Sequence, residues 1–448
     1  MHWRVADMTR LIVKTMPLLR RSAVILAVGV GIVLWMTLPV LFLLLGVVMG
    51  VWLAVSREGR QALSITWSGL STLPQRLGAT SVIIVGIAGV VGVLIALLAM
   101  AEGFQATLKR AGDDDTAIVL RSGANAELSS GLDRASTTLI AQGPGVLRDG
   151  RDIPIASAEV VVVANLPKRT TGTDANVEVR GVGQQVWPLR PNVHIIAGRP
   201  FTPGLRELIV GKGALSQFAG LAPGSTIRLN NQSWTISGVF ASGDAHESEL
   251  WGDAESVAAA YRRNGFQSVT VRLTGPEAID RLKAALSGDP RLKVDVETTR
   301  DYYNKQSEQL TKTIRVIGTG VAVIMAIGAM FGALNTMYAA VAARAREVAT
   351  LRALGFTGAP VVVSVLLEAM LLALVGGGLG AGIAYGVFNG YTVSTLGANF
   401  SQVVFQFRVS PDLLLRGLQW SLVIGFLGGL FPALRAASIP VTTALREL

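Results

Sequence analysis

Runs of uncharged apolar residues, longer than a water-soluble helix tolerates, constrain this chain more than any other feature. Residues 22–55 carry no charge, nor do 79–101, 316–343 or 418–434, and 361–390 carry only Glu368. About 20 such residues cross roughly 30 Å of hydrocarbon as a helix. The chain therefore reads as a multi-span membrane protein, with the polar stretch 103–312 left to fold in water.

Charge assigns the sides. Residues 103–312 hold 24 Lys and Arg against 23 Asp and Glu, leaving 16 basic and 7 acidic residues elsewhere. Thirteen of those basic residues flank the apolar runs: Arg4, Arg10, Lys14, Arg20 and Arg21; Arg57, Arg60 and Arg76; Arg344, Arg346 and Arg352; Arg435 and Arg446. Short Lys- and Arg-rich loops stay cytoplasmic, so these four segments are cytoplasmic and residues 103–312 periplasmic. The net charge of +10 is thus a topology signal and no argument for nucleic acid. The absence of cysteine excludes a disulfide framework, a zinc–thiolate site and a Cys nucleophile.

The pattern divides into a basic cytoplasmic tail (1–21), an apolar segment (22–55), a cytoplasmic elbow helix (56–78) and a first core span (79–102). The periplasmic domain (103–312) follows, then a stalk and second span (313–343), a short cytoplasmic helix (344–359) and a third span (360–390). A periplasmic loop (391–412), a fourth span (413–434) and a tail (435–448) complete it. The 22–55 segment is too long for the apolar core of a signal peptide and is read as retained. Basic flanks and Pro39 favour a two-helix hairpin, with one long tilted span as the alternative. In the elbow, Leu63, Trp67 and Leu70 recur at helical spacing, as suits an interfacial helix.

The periplasmic segment predicts strands at 116–120 and 159–164 around a helix near 127–141, then strands at 267–273 and 292–296 around a helix at 276–286. Those are ferredoxin-like βαβ halves, split by a β-rich insert at about 176–256. The fold class is therefore membrane α-helical, a four-span core plus an N-terminal hairpin, with an α+β periplasmic domain. From Asp301, Tyr303, Leu310 and Ile317 form a seven-residue seam running into the second span, a mechanical stalk unless a kink interrupts it.

Catalytic signals are absent. No Gly-x4-Gly-Lys-Ser/Thr loop occurs, and Gly211-Lys212-Gly213 fails on spacing and on the missing hydroxyl. With only His2, His194 and His246, no two-histidine metal helix forms, and no nucleophile elbow is present. Asp244, His246, Glu247 and Glu249 read as a solvated turn rather than a metal site. No catalytic, cofactor or metal site is therefore assigned. Glu368 reads as a partner for basic groups at the cytoplasmic face, the alternative being a proton relay.

The strongest local signal is Leu334-Asn335-Thr336-Met337-Tyr338 followed by residues 343–356. It is a span ending in a short amphipathic helix, apolar at Val348, Leu351 and Leu354, polar at Arg344, Arg346, Glu347 and Arg352, and stopped by Gly355. Such a helix suits docking into a partner's groove, or resting on anionic lipid.

This run resembles a signature of the permease family that includes MacB, FtsX, LolC and LolE. Gly428-Gly429-Leu430-Phe431-Pro432-Ala433-Leu434-Arg435, with Pro440 and Ala444-Leu445-Arg446, resembles the family's C-terminal signature. Ala101-Glu102-Gly103-Phe104, Gly198-Arg199-Pro200-Phe201 and Glu207-Leu208-Ile209-Val210 resemble MacB-type members, and the likeness covers about 60–448. Two features depart from the pattern: the 22–55 hairpin lies outside the family's four-span core, and the ATPase domain fused in MacB has no counterpart motif.

The resemblance implies an ABC transporter permease of the mechanotransmission type, a homodimer or a pair with a related permease. A separate ABC ATPase would bind ATP and Mg and push on Arg344, Arg346, Glu347, Val348, Leu351, Arg352, Leu354 and Gly355. A periplasmic adaptor and an outer-membrane channel are further implied partners, with membrane lipid around the spans. Export or extraction of a periplasmic or outer-leaflet substrate is the first functional reading. An FtsX-like regulator of a cell-wall hydrolase or a peptide-sensing system is the second, and a membrane-anchored enzyme the third. Reporter fusions after Val55 and after Gly150 should report opposite compartments, and a cytoplasmic signal at Gly150 would overturn the topology.

Overall fold

The computed structural model describes residues 39–72, 74, 77–397 and 399–438. The first arm of the expected hairpin, 22–38, and the tails 1–21 and 439–448 lie outside the described residues. The chain forms two compact units. Of the described residues, one contains those within 39–97, 317–387 and 409–438, the other those within 98–316 and 388–408.

In the first unit, the first described helix is α1 (Pro39–Val55). Next comes the elbow helix α2 (Arg57–Ser71), whose N-cap Ser56 accepts from the Gly59 N–H at 2.8 Å. It buries Gly59, Ala62, Ile65, Thr66 and Gly69 and exposes Leu63 and Trp67, so two apolar faces look in different directions. The exposed face suits the membrane interface.

Helix α3 (Leu77–Ala111) leads into the second unit, which opens with β1 (Thr116–Arg121), a 3-10 turn (Glu127–Ser129) and α4 (Arg134–Ala141). Strands β2 (Ala156–Pro167) and β3 (Asp174–Val182) precede α5 (Val186–Leu189), β4 (His194–Gly198) and β5 (Glu207–Gly211). Then come α6 (Lys212–Gln217), β6 (Thr226–Leu229), β7 (Gln232–Ala241), a 3-10 turn (Ala245–Ser248) and β8 (Glu249–Asp253). Helix α7 (Ala254–Ala260), β9 (Ser268–Arg272), α8 (Ala278–Gly288) and β10 (Val294–Thr298) end the domain's main run.

Helix α9 (Thr299–Ala343) follows without a break for 45 residues, about 68 Å at 1.5 Å per residue. The remaining elements are α10 (Ala345–Ala353), α11 (Gly358–Phe388), a hairpin of β11 (Thr392–Leu396) and β12 (Gln402–Gln406), and α12 (Pro411–Ser438). Among the described residues α3, α9, α11 and α12 are long and apolar enough to cross a membrane.

Ten strands form one sheet, ordered β10-β1-β9-β2-β3-β8-β5-β7-β4 with β6 on β7. Strands β1, β2, β9 and β10 lie fourth-first-third-second, all antiparallel, with α4 and α8 as crossovers: the ferredoxin-like arrangement. The insert prolongs that sheet from β2 through β3, and its parallel pairs are β3–β8 and β5–β7. Within it Gly198 has φ +74°, and a Cβ there would strike Ser237 and Gly238. Arg199 next to it grips Glu207 with two hydrogen bonds, at 2.7 and 2.5 Å, which hold that carboxyl down at about 2. Gly198 and Arg199 of the four-residue MacB-like motif thus have structural work.

Hydrocarbon solvates leucine as well as a neighbouring helix does, so close packing has to hold spans together. Small residues provide it. A Cβ on Gly376 of α11 would lie 2.8 Å from the Ile84 carbonyl of α3, and Gly380 meets the backbone of Ala88 as closely. On α12, a Cβ on Gly425 or Gly429 would meet Ala373 at 2.5 Å or Ala369 at 2.6 Å, one turn apart on α11. Gly380→Leu should therefore overpack the α3–α11 seam and cost about 1–3 kcal/mol. Gly378→Leu, whose Cβ meets nothing within 4 Å, should be near neutral. Thermal unfolding of the two variants in one detergent checks this.

Candidate functional site

At one end of the first unit, the chain leaves α9 at Arg344 and re-enters a helix at Ala345. Arg344 is the N-cap, and its non-helical backbone (φ −107°, ψ 9°) makes the break. Its guanidinium Nη1 turns inward to Oε2 of Glu368 on α11, 3.2 Å away, and its Nε meets Glu347 at the same distance. A Cβ on Gly69 of α2 would fall 2.6 Å from that Nη1 and 2.9 Å from Glu368 Oε2. A glycine there leaves the elbow helix against the ion pair without displacing the ends of either side chain. Glu58 of the same helix accepts from Thr357 Oγ1 at 3.3 Å, just past α10.

Helix α10 ends as its sequence requires. Gly355 adopts φ +98°, its N–H donates to the Arg352 carbonyl at 3.1 Å, and the Phe356 N–H donates to Leu351 at 3.2 Å, a Schellman closure. The sequence-assigned residues then separate. Arg346, Glu347, Leu354 and Gly355 are exposed, with Leu354 at 74%. Val348, Leu351 and Arg352 are half-buried, and Ala349 is the buried contact. Arg344 is committed inward. Val348 and Leu351 line a pocket of about 340 Å³ with Ile65 of α2, Met337 of α9 and Val365 of α11.

The second unit holds a feature that sequence reasoning missed. Arg180 of β3, 2% exposed, donates to four carboxylates: Glu127 through Nη1 and Nη2 (2.8 and 2.9 Å), Glu159 (2.8 Å), Glu178 (2.8 Å) and Glu249 (2.8 and 3.1 Å). Arg190 adds two bonds to Glu159, at 2.6 and 3.1 Å, and stacks 5.4 Å from the Trp251 ring. Trp251 Nε1 donates to Glu249 at 2.6 Å and Ser268 to Glu127 at 2.7 Å. Beside them Tyr303, His246 and Asp244 form a buried chain, Oη to Nε2 at 3.1 Å and Nδ1 to Oδ1 at 3.0 Å.

The turn at Asp244, His246, Glu247 and Glu249, expected to be solvated, is thus mostly interior: Asp244, His246 and Glu249 are all buried. Only Glu247 keeps a surface role, accepting from the Ser242 and Gly243 N–H groups. Among the described residues no metal-binding cluster forms. The missed signal was alternation. Glu178 and Arg180 sit two apart in a strand, so they share a face while Val177 and Val179 take the other. Alternation normally marks a solvated face, and nothing local says that this one is covered.

Environment splits the carboxylates. Burial opposes charge on Glu159, but Arg190 and Arg180 outweigh it and hold the group at about 2. Burial likewise opposes charge on Asp244, and His246 leads the groups that bring it to about 2. In Glu249 Arg180 again overcomes burial and lowers the group.

The hairpin β11–β12 packs against the same unit. Asn399 Nδ2 and Ser401 Oγ each donate to Glu178 Oε2 at 3.1 Å, and the Val404 N–H donates to Ser248 Oγ at 2.8 Å. Phe405 meets Phe104 of α3 edge-on at 5.5 Å. Gly103, in the Ala101–Phe104 motif, is needed because a side chain there would enter the Gln406 backbone.

Two family models match successive parts of the chain. Residues 80–288 match the MacB-like periplasmic core domain and residues 319–441 the FtsX-like permease C-terminal domain. The macrolide export ATP-binding/permease protein MacB of Hahella chejuensis is 26% identical over 315 residues, 64% of this chain and 45% of that protein. The ABC transporter permease YknZ of Bacillus subtilis is 24% identical over 385 residues, 80% of this chain and 92% of that protein. The chain thus spans less than half the length of that MacB. Among solved structures, the periplasmic region of MacB from Actinobacillus actinomycetemcomitans aligns over 45% of this chain and 92% of its own, at 15% identity and TM-score 0.32. The extracellular domain of YknZ aligns over 41% and 98%, at 17% identity and TM-score 0.31.

Replacing Arg180 by Met would leave the carboxylates facing one another without their shared donor. Breaking a buried ion pair costs about 3–5 kcal/mol. Arg180→Met should therefore unfold the domain or lower its melting temperature sharply in circular dichroism, whereas Arg134→Met, at an exposed pair with Glu255, should change it little.

Proposed function

Since the chain belongs to the MacB/FtsX-type family of ABC transporter permeases, multi-pass inner-membrane proteins with a MacB-like periplasmic domain, we propose that it couples ATP hydrolysis on a separate ATPase to conformational change in that domain. The output is export or extraction of a periplasmic or outer-leaflet substrate. ATP and Mg are bound by the partner ATPase. The working unit is a dimer, of two copies or with a related permease, able to recruit a periplasmic adaptor and an outer-membrane channel.

The observation that carries this reading is helix α10. It is short, stopped by Gly355, and it leaves Arg346, Glu347 and Leu354 exposed while Ala349 anchors it. An exposed leucine flanked by charges has the anatomy of a docking anchor with a polar rim. The inward Arg344–Glu368 pair, under Gly69, supports force transfer, because it ties the start of α10 to α11 and the elbow helix. In this reading Arg346, Glu347, Leu354 and Gly355 form the contact surface. Arg344, Val348, Leu351 and Arg352 hold the helix against its own protein.

Arg346→Glu combined with Leu354→Asp should weaken co-purification of the permease with its ABC ATPase by about 30-fold or more, equivalent to about 2 kcal/mol. ATP turnover in lipid should lose its dependence on the permease, while membrane insertion stays normal because no span is altered. Wild-type binding and turnover in the double variant would leave α10 as a lipid-resting helix.

A further inference from the structure

The buried cluster in the second unit has two cations, Arg180 and Arg190, for four carboxylates. Their donors are unequally shared. Glu159 takes bonds from both arginines, Glu127 from two Arg180 nitrogens and Ser268, and Glu249 from two Arg180 nitrogens and Trp251. Glu178 has one Arg180 bond, on Oε1, and its Oε2 meets only neutral groups of the hairpin. It also stands directly opposite Glu249 in the parallel β3–β8 register, where like charges repel.

A second observation lies on the hairpin. Asn399 is 8% exposed, lines the same small cavity as Glu178, Glu127 and Glu249, and its Oδ1 has no hydrogen-bond partner. No other donor therefore fixes its amide in the present orientation. The cavity is about 40 Å³, room for about one water and none for a hydrated cation. The positive charge that fits is a proton.

We propose that Glu178 is a proton-binding site: a neutral carboxylic acid that joins the β11–β12 hairpin to β3, donating from Oε2 to Ser401 Oγ or to the Asn399 amide turned about its axis. The groups facing it are Arg180 on β3, Glu249 on β8, Glu127 on the first 3-10 turn and Glu159 on β2. Arg190 lies behind Glu159, with Asp244 and His246 on the second 3-10 turn and Tyr303 on α9; the hairpin brings no charge. Burial pushes Glu178 up to about 8, the Glu249 carboxylate adds to this, and Arg180 opposes it.

The sign follows. An acid that holds its proton above the ordinary carboxylate range when the hairpin is docked, and releases it to water when the hairpin lifts, makes docking take up a proton. Docking is strongest at low pH, weakens as pH rises, and levels off above about 8. One proton limits the slope to tenfold per pH unit. This site goes beyond the ATP-coupling reading and does not depend on it.

The test uses the full-length protein in lipid nanodiscs, with single cysteines introduced into a chain that has none. Val404→Cys reports docking, because Val404 lies on β12 and is buried while the hairpin is docked, and exposed Thr170→Cys corrects for the pH dependence of thiol labelling itself. The labelling ratio of Val404→Cys to Thr170→Cys should rise severalfold from pH 6 to 8 and then flatten. Adding Glu178→Gln, which is neutral at every pH, should abolish the rise. Should that variant not fold, Asn399→Ala with Ser401→Ala leaves every charge in place. It should raise the ratio at all pH values and shrink its slope. A ratio in the wild-type background that stays flat from pH 6 to 9 overturns the proposal, as does an undiminished slope in the alanine pair.

Discussion

One guanidinium organises the periplasmic domain. Arg180 projects from β3, in the insert, and takes Glu127 and Glu159 from the ferredoxin-like half as well as Glu178 and Glu249 from the insert. Desolvating charged groups is expensive, and a cluster of this kind repays it only with near-complete hydrogen bonding. That demand acts as a register lock. Slipping β3 by one residue would point Arg180 into the core of Val160, Val177 and Val179 and put valine among the carboxylates. The sheet can thus extend beyond its four ferredoxin-like strands in one register only.

The membrane unit solves the opposite problem. It has little polar material to specify contacts, so it uses shape: Gly376 and Gly380 against α3, Gly425 and Gly429 against α11. Among the described residues, the ion pair of Arg344 with Glu368 stands where the chain must break from a 45-residue helix into α10. Gly69 lies against the pair, where a Cβ would displace the ends of both side chains. Glu368 therefore serves as a structural partner.

Much of the molecule was legible in the sequence, because hydrocarbon imposes length and neutrality on every span. The four core spans, the ferredoxin-like halves and the stop at Gly355 follow from apolar runs, alternation and the φ > 0 that glycine alone takes cheaply. The amphipathic 344–355 stretch was legible as a helix but not as two populations of residues. Spacing does not say that Arg344 turns inward while Leu354 faces out. The elbow helix was read by its exposed Leu63 and Trp67, whereas its packing face of Gly59, Ala62, Ile65 and Gly69 is built from residues too small to stand out.

What tertiary structure alone decided is where charge is buried. Glu127, Glu159, Glu178, Arg180, Glu249 and His246 are scattered over 123 positions, in strands and turns whose local pattern suits a wet surface. Only the closing of β8 beside β3, and of the hairpin over both, removes the water and turns ordinary surface charges into an interior network. Periodicity records which face a side chain takes. Solvation depends on what later covers that face, and the covering chain lies far away in sequence.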